Sequence, residues 1–230
     1  MYLSVYIARS GLCARRKAIA IIKAGFVKVN GKTEKNPARQ VEETAEVIFR
    51  GRRVTPREHQ YVVLNKPSGY FSSCSDECGR KTVVELIGSR ERLFPMGRLD
   101  ATTEGVILLT TDGALAQKLL HPKHDITKEY HVELDKPLHE KDFEIIRSGV
   151  DLPDGKIKPD EIRMLGKKGT NVSVKLSSGK NRIIRRMFGA LGYHVHGLER
   201  VKFAGITNRG LARGAWRKLT RSEVKRLQGL

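Results

Sequence analysis

The sequence predicts an α+β fold in two parts: a small helix-helix-strand unit, then a larger region built on a mainly antiparallel or mixed β-sheet flanked by helices. Three observations predict it. Apolar residues recur at helical spacing near the N-terminus and then switch to strand alternation. From Tyr61 the composition changes, and strand-like and helix-like segments follow one another without a regular βαβ period. Charge is also segregated: residues 1–58 carry +8, residues 59–177 are neutral, and residues 178–230 carry +11.

Leu3, Ile7 and Ala8 lie at helical spacing, and Ser10-Gly11 ends that pattern. A second helix fits Ala14 to Ala24, with Ala18, Ile19, Ile21 and Ile22 as its apolar side and Gly25 as its C-terminal cap. Phe26-Val27-Lys28-Val29 alternates as a strand, Asn30-Gly31 is a hairpin turn signal, and Glu46–Phe49 supplies a later strand. Arg15, Arg16 and Lys17 open the second helix. Cations there oppose the helix dipole but suit phosphate, so the cluster points to a ligand. Arg52, Arg53 and Arg57, with Pro56, read as a basic linker.

In the larger part, Tyr61–Leu64 is a buried-type strand that runs into the loop Asn65-Lys66-Pro67-Ser68-Gly69-Tyr70. Thr82–Ile87 fits a short helix, Val106–Leu109 a buried strand, and Asp112-Gly113 the start of a helix holding Ala116 and Leu119-Leu120. Lys128–Leu134 alternates as a half-exposed strand, a helix passes through Phe143–Ile146, and Val172–Leu176 is a further strand. Gly179-Lys180-Asn181-Arg182 opens a basic helix that ends near Gly192, followed by a glycine-interrupted strand to Val201. Trp216 reads as a packing residue. Thr220 and Glu223 form a capping box for a last helix.

Net charge is +19, the sequence pI is about 10.1 and 39% of residues are hydrophobic. A packed core with so large a basic excess favours an anionic partner, and two separated basic ends suit a phosphate backbone. No apolar run approaches the roughly 20 residues of a membrane span, and the N-terminus lacks a signal-peptide pattern, so a cytoplasmic location is expected. The three cysteines do not form a disulfide framework, and Cys74 and Cys78 lack a second ligand pair, so no metal is expected. Gly97-Arg98-Leu99-Asp100 then stands out. It is a carboxylate beside an arginine on a glycine-flanked loop ahead of a buried strand, a plausible reaction centre.

Two resemblances give these features a meaning. Ser10-Gly11, Arg15-Arg16-Lys17-Ala18, Ile21-Ile22 and Ala24-Gly25-x-Val27-x-Val29-Asn30-Gly31 resemble the S4-like (alpha-L) RNA-binding module, which implies contact with structured RNA through phosphates. Asn65-Lys66-Pro67-x-Gly69, Gly97-Arg98-Leu99-Asp100 with Thr111-Asp112-Gly113, Lys128-Glu129-Tyr130, and Gly179-Lys180-Asn181-Arg182-x-x-Arg185-Arg186-Met187 together resemble the ribosomal RNA pseudouridine synthases of the RsuA/RluB type. That resemblance spans almost the whole chain. It implies an RNA-binding domain over residues 1–52, a linker over 53–58 and a catalytic domain over 59–230.

The resemblance also implies an activity: isomerisation of a chosen uridine in ribosomal RNA, with a lean to the large subunit, and no cofactor. The partner is then ribosomal RNA or a pre-ribosomal subunit, and the enzyme a monomer. Asp100 is the implied catalytic carboxylate, as nucleophile or base. Arg185 is its implied ionic partner, with Arg182 the near alternative, and Tyr130 lies against the target base. Arg98 fills the space that the extruded base vacates. Arg15, Arg16, Lys17, Lys180, Arg182 and Arg186 are the implied RNA contacts. One departure is Ile183, where relatives often carry glutamine.

Overall fold

Leu3, Tyr6 and Ile7 project from one face of helix α1 (Leu3–Arg9), and Ala18 and Ile22 from one face of α2 (Arg15–Lys23). Together with Val27, Val29 and Val47 they form a small core of their own. In this computed structural model, which describes residues 1–230, the chain divides into two compact units, Met1–Gln60 and Tyr61–Leu230.

The first unit adds a four-stranded sheet of order β2-β1-β3-β4, from β1 (Val27–Val29), β2 (Lys32–Glu34), β3 (Val47–Phe49) and β4 (Arg52–Val54). Two hairpins build it. Asn30 and Gly31 turn at φ 49° and 80°, and Arg50 and Gly51 turn at φ 48° and 77°. The first pair is the expected Asn-Gly signal. The second carries arginine in the left-handed region, which is uncommon outside Asn, Asp and Gly. For that reason Arg52, Arg53 and Val54 were expected in a linker region yet belong to a paired strand.

The second unit runs β5 (Tyr61–Lys66), α3 (Val83–Ile87), β6 (Phe94–Met96), β7 (Glu104–Thr110), α4 (Gly113–Leu120), β8 (Lys128–Leu134), α5 (Glu140–Ser148), β9 (Val150–Leu152), β10 (Gly155–Ile157), β11 (Glu161–Leu165), β12 (Asn171–Leu176), α6 (Ile183–Gly189), β13 (Val195–Phe203), β14 (Ile206–Thr207), β15 (Trp216–Lys218) and α7 (Arg221–Gly229). Its main sheet has the order β11-β12-β8-β13-β7-β5-β15, with β14 on β13 and β6 on β7; β9 and β10 form a separate hairpin. The ladders are antiparallel except β13 with β7, which is parallel. The fold is therefore α+β on a mixed, mainly antiparallel sheet.

Strand β7 shows why Val106–Leu109 is continuously apolar. Val106 and Leu108 face a core with α4 and α7, while Ile107 and Leu109 face a second core with α3 and Leu99. A third core lies between β8, β12, β13 and helices α5 and α6. Capping boxes start α3 at Thr82 and α7 at Thr220. The basic helix expected from Gly179 begins at Ile183 as α6, so Lys180, Asn181 and Arg182 precede it in a turn. Trp216, expected to pack, is instead 40% exposed on edge strand β15.

Candidate active site

The Gly97–Thr103 loop joins β6 to β7 and is held from beneath. Leu99 is buried, and Ser72 brackets it: the Leu99 amide donates to Ser72 Oγ at 3.0 Å, and Ser72 Oγ donates to the Leu99 carbonyl at 2.9 Å. Lys66, the last residue of β5, is fully buried. Its ammonium donates to the carbonyls of Pro67 (3.2 Å), Asp100 (3.1 Å), Ala101 (3.0 Å) and Thr103 (2.7 Å). The Gly69 amide adds a bond to Ala101 O at 2.8 Å. The backbone of Asp100 is thus fixed while its carboxylate stays 34% exposed.

Arg182 Nη1 lies 3.0 Å from Asp100 Oδ2. Arg182 caps α6 at φ 47°, a left-handed backbone that turns its side chain toward the loop. Arg185, one helical turn on, donates to Val195 O at 2.6 Å and to Thr102 Oγ1 at 3.4 Å. Burial and the neighbouring Arg182 lower its pKa, and Asp100 opposes them. Tyr130 is half-buried on β8, where it packs against the α6-side core and the core that holds Leu99. Arg98 is exposed on the loop itself. Arg15, Arg16 and Lys17 are exposed in the first turn of α2, within the first unit.

Lys180 and Arg186 engage Asp154, in the turn between β9 and β10. Lys180 Nζ donates to Asp154 O at 2.6 Å, and Arg186 binds the Asp154 carboxylate through both terminal nitrogens. The Arg186 guanidinium holds that carboxyl down to about 2. No group of three or more His, Cys, Asp or Glu is placed to hold a metal ion, and no disulfide joins the cysteines. No helix is long and apolar enough to cross a membrane.

Comparison with known proteins decides what this loop belongs to. The family model described as RNA pseudouridylate synthase matches residues 60–190, more than half of the chain and all of the elements above from β5 to α6. The chain belongs to the RNA pseudouridylate synthases. Residues 3–47 match the S4 domain. The synthase is 38% identical to the ribosomal large subunit pseudouridine synthase B of Bacillus subtilis, over 97% of this chain and 94% of the relative. It is 36% identical to the dual-specificity RNA pseudouridine synthase RluF of Escherichia coli, over 96% of this chain and 76% of the relative. A crystal structure of a pseudouridylate synthase superposes with a TM-score of 0.68 at 32% identity, covering 99% of each chain.

One expectation about the synthase's loop needs correction. Asp100 pairs with Arg182, not with Arg185, because the turn before α6 brings the earlier arginine to the carboxylate and Val195 O retains the later one. Sequence reasoning also gave Lys66 no role. A lysine closing a strand of otherwise buried character, ahead of Pro67, was the available signal.

Burial brings the Lys66 pKa down to about 8, with nearby Arg200 adding to it and the carboxylates of Glu104 and Asp100 opposing. Lys66→Met removes the donor from Pro67 O and Thr103 O, while Asp100 O and Ala101 O still accept from the Thr103 and Gly69 amides. Unsatisfied buried groups cost about 1–3 kcal/mol each, so a loss of about 3 kcal/mol is expected from the two. That corresponds to about 6–12 °C in Tm for a chain of this size. The pH dependence has a definite sign. With the folded pKa below the unfolded one, the buried charge opposes folding fully below pH 8. That penalty is relieved as pH rises toward 10.5. The Tm gap between wild type and Lys66→Met is therefore expected to be larger at pH 9.5 than at pH 7. A gap that narrows at pH 9.5 in thermal melts contradicts this account.

Proposed function

We propose that this synthase converts a specific uridine of ribosomal RNA, in the large subunit, to pseudouridine, with Asp100 as the catalytic carboxylate. The observation that carries the reading is the Asp100 carboxylate itself. It is accessible, ion-paired to Arg182, and mounted on a backbone that Lys66 and Ser72 hold in place. The large-subunit assignment draws on the Bacillus subtilis relative's name.

In the reaction the N1–C1′ glycosidic bond breaks, the ring rotates within the site, and C5 bonds to C1′. C5 loses its proton and N1 gains one, so product and substrate are isomers. Asp100 serves either as nucleophile at C1′ or as the base that removes a ribose proton. Arg182 keeps the carboxylate oriented, and Arg185, fixed on Thr102, braces the following residues of the same loop. The target nucleotide leaves its stack at a cost of a few kcal/mol. Tyr130 offers its ring to the extruded base, and Arg98, exposed on the loop, takes the vacated place in the stack. Arg15, Arg16 and Lys17 of the S4 domain bind phosphates, as do Lys180 and Arg186 once RNA replaces Asp154. The working enzyme is a monomer.

Pseudouridine mapping of ribosomal RNA from cells with and without the gene tests the reading. One large-subunit uridine is expected to lose its modification on deletion and regain it with the wild-type gene. An unchanged map, or a lost site outside ribosomal RNA, refutes it.

A further inference from the structure

Arg200 is a buried cation that the proposed chemistry does not use. It sits on β13 and is 3% exposed. Across one ladder its partner is Tyr130 of β8, and across the other it is Gly105 of β7. Its Nε donates to Val106 O at 2.8 Å, and its guanidinium carbon lies 4.6 Å from the centre of the Phe203 ring. Its Nη2 is buried without a hydrogen-bond partner. Burial lowers the Arg200 pKa, and the Tyr130 phenol is the group that favours its charge. The other charged groups bearing on it, Lys66 and Lys128, are cations.

A buried charge held among cations is a costly choice for packing alone, since an apolar residue of similar size commonly serves stability as well or better. Directly opposed residues on neighbouring strands share a face, with Cβ atoms about 5 Å apart. The guanidinium therefore bridges two structural elements. Through Val106 O it grips β7, the strand that leaves the Asp100 loop, and its unbonded nitrogen is available to the hydroxyl end of Tyr130. From this geometry we infer that Arg200 is a positioning residue for the isomerisation, holding the Tyr130 phenol at a fixed distance from β7, the strand that follows the Asp100 loop. The inference rests on the proposed role of Tyr130 against the base.

A double-mutant cycle on the full-length protein tests it, with single-turnover rates and RNA affinities measured for Arg200→Met, Tyr130→Phe and the double variant. Misplacing a reacting group by about 1 Å costs about 100-fold. Arg200→Met is expected to slow the reaction by about that factor while RNA Kd stays within about threefold, a split that general loss of structure does not produce. On the Tyr130→Phe background the same change is expected to slow it by less than about threefold, because the hydroxyl it would hold is already gone. Fully additive losses overturn the inference.

Should Arg200→Met fail to fold, Arg200→Lys keeps the buried cation and carries the same cycle, with the same non-additivity expected. Tyr130→Phe running at the wild-type rate also defeats the inference, and leaves the proposed function standing if Asp100→Asn is inactive. Turnover by Asp100→Asn defeats the proposed function itself.

Discussion

Asp100→Asn is expected to bind its RNA substrate with unchanged affinity and to isomerise it at least about a thousandfold more slowly. The substitution preserves shape. The bonds that fix this loop come from Lys66, Gly69 and Ser72 to main-chain atoms, and the variant leaves all of them in place. The amide oxygen can still accept from Arg182. What disappears is the negative charge, which both candidate roles require: a carboxamide is neither a nucleophile toward C1′ nor a base. A thousandfold loss corresponds to about 4 kcal/mol of transition-state stabilisation. Single-turnover assays with the mapped RNA, alongside filter binding, measure the two quantities separately. Turnover within tenfold of wild type removes Asp100 from the chemistry, and a parallel collapse in affinity makes it a binding group instead.

The largest effect on stability is expected at Gly105. Its φ is +98°, and a Cβ there would lie 2.2 Å from Arg200 O, 2.8 Å from Arg200 N and 2.9 Å from Arg200 C. All three are backbone atoms of β13 and cannot swing aside. Gly105→Ala must therefore either open the β7–β13 ladder or strain both strands. A loss of more than about 4 kcal/mol is expected, in the range reserved for overpacking and special backbone sites. For this chain length that is at least about 8 °C in Tm. Gly113→Ala is the control: it starts α4, and a Cβ added there would have Phe94 Cζ as its nearest neighbour, 4.0 Å away. Equal melting temperatures for the two variants would falsify the steric explanation.

Much of the scaffold was readable from residue pattern. Lys128–Leu134 alternates because one face of β8 packs and the other is wet, and the observed strand has those bounds. Thr82 and Thr220 carry capping boxes whose chemistry is local, so it survives any tertiary context. Strands of two or three residues, such as β6, β10 and β14, left too few positions for a period to register. The site was legible to a lesser degree. Asp100 stood out through its neighbours in sequence. The choice between Arg182 and Arg185 depended on a left-handed residue at the start of α6, which an arginine does not announce. Arg200 was invisible for a different reason: its meeting with Tyr130 depends on β13 inserting between β7 and β8, a matter of strand order alone.

That strand order also has a temporal side. Asp100 lies on the loop that leads into β7, Tyr130 lies on β8, and β13, made after both, is the strand that joins β7 to β8. Domains emerging from the ribosome fold from the N-terminal end. The residues that match the S4 domain, 3–47, are all made before β13. The groups proposed for catalysis can therefore share one sheet only after β13 has been made.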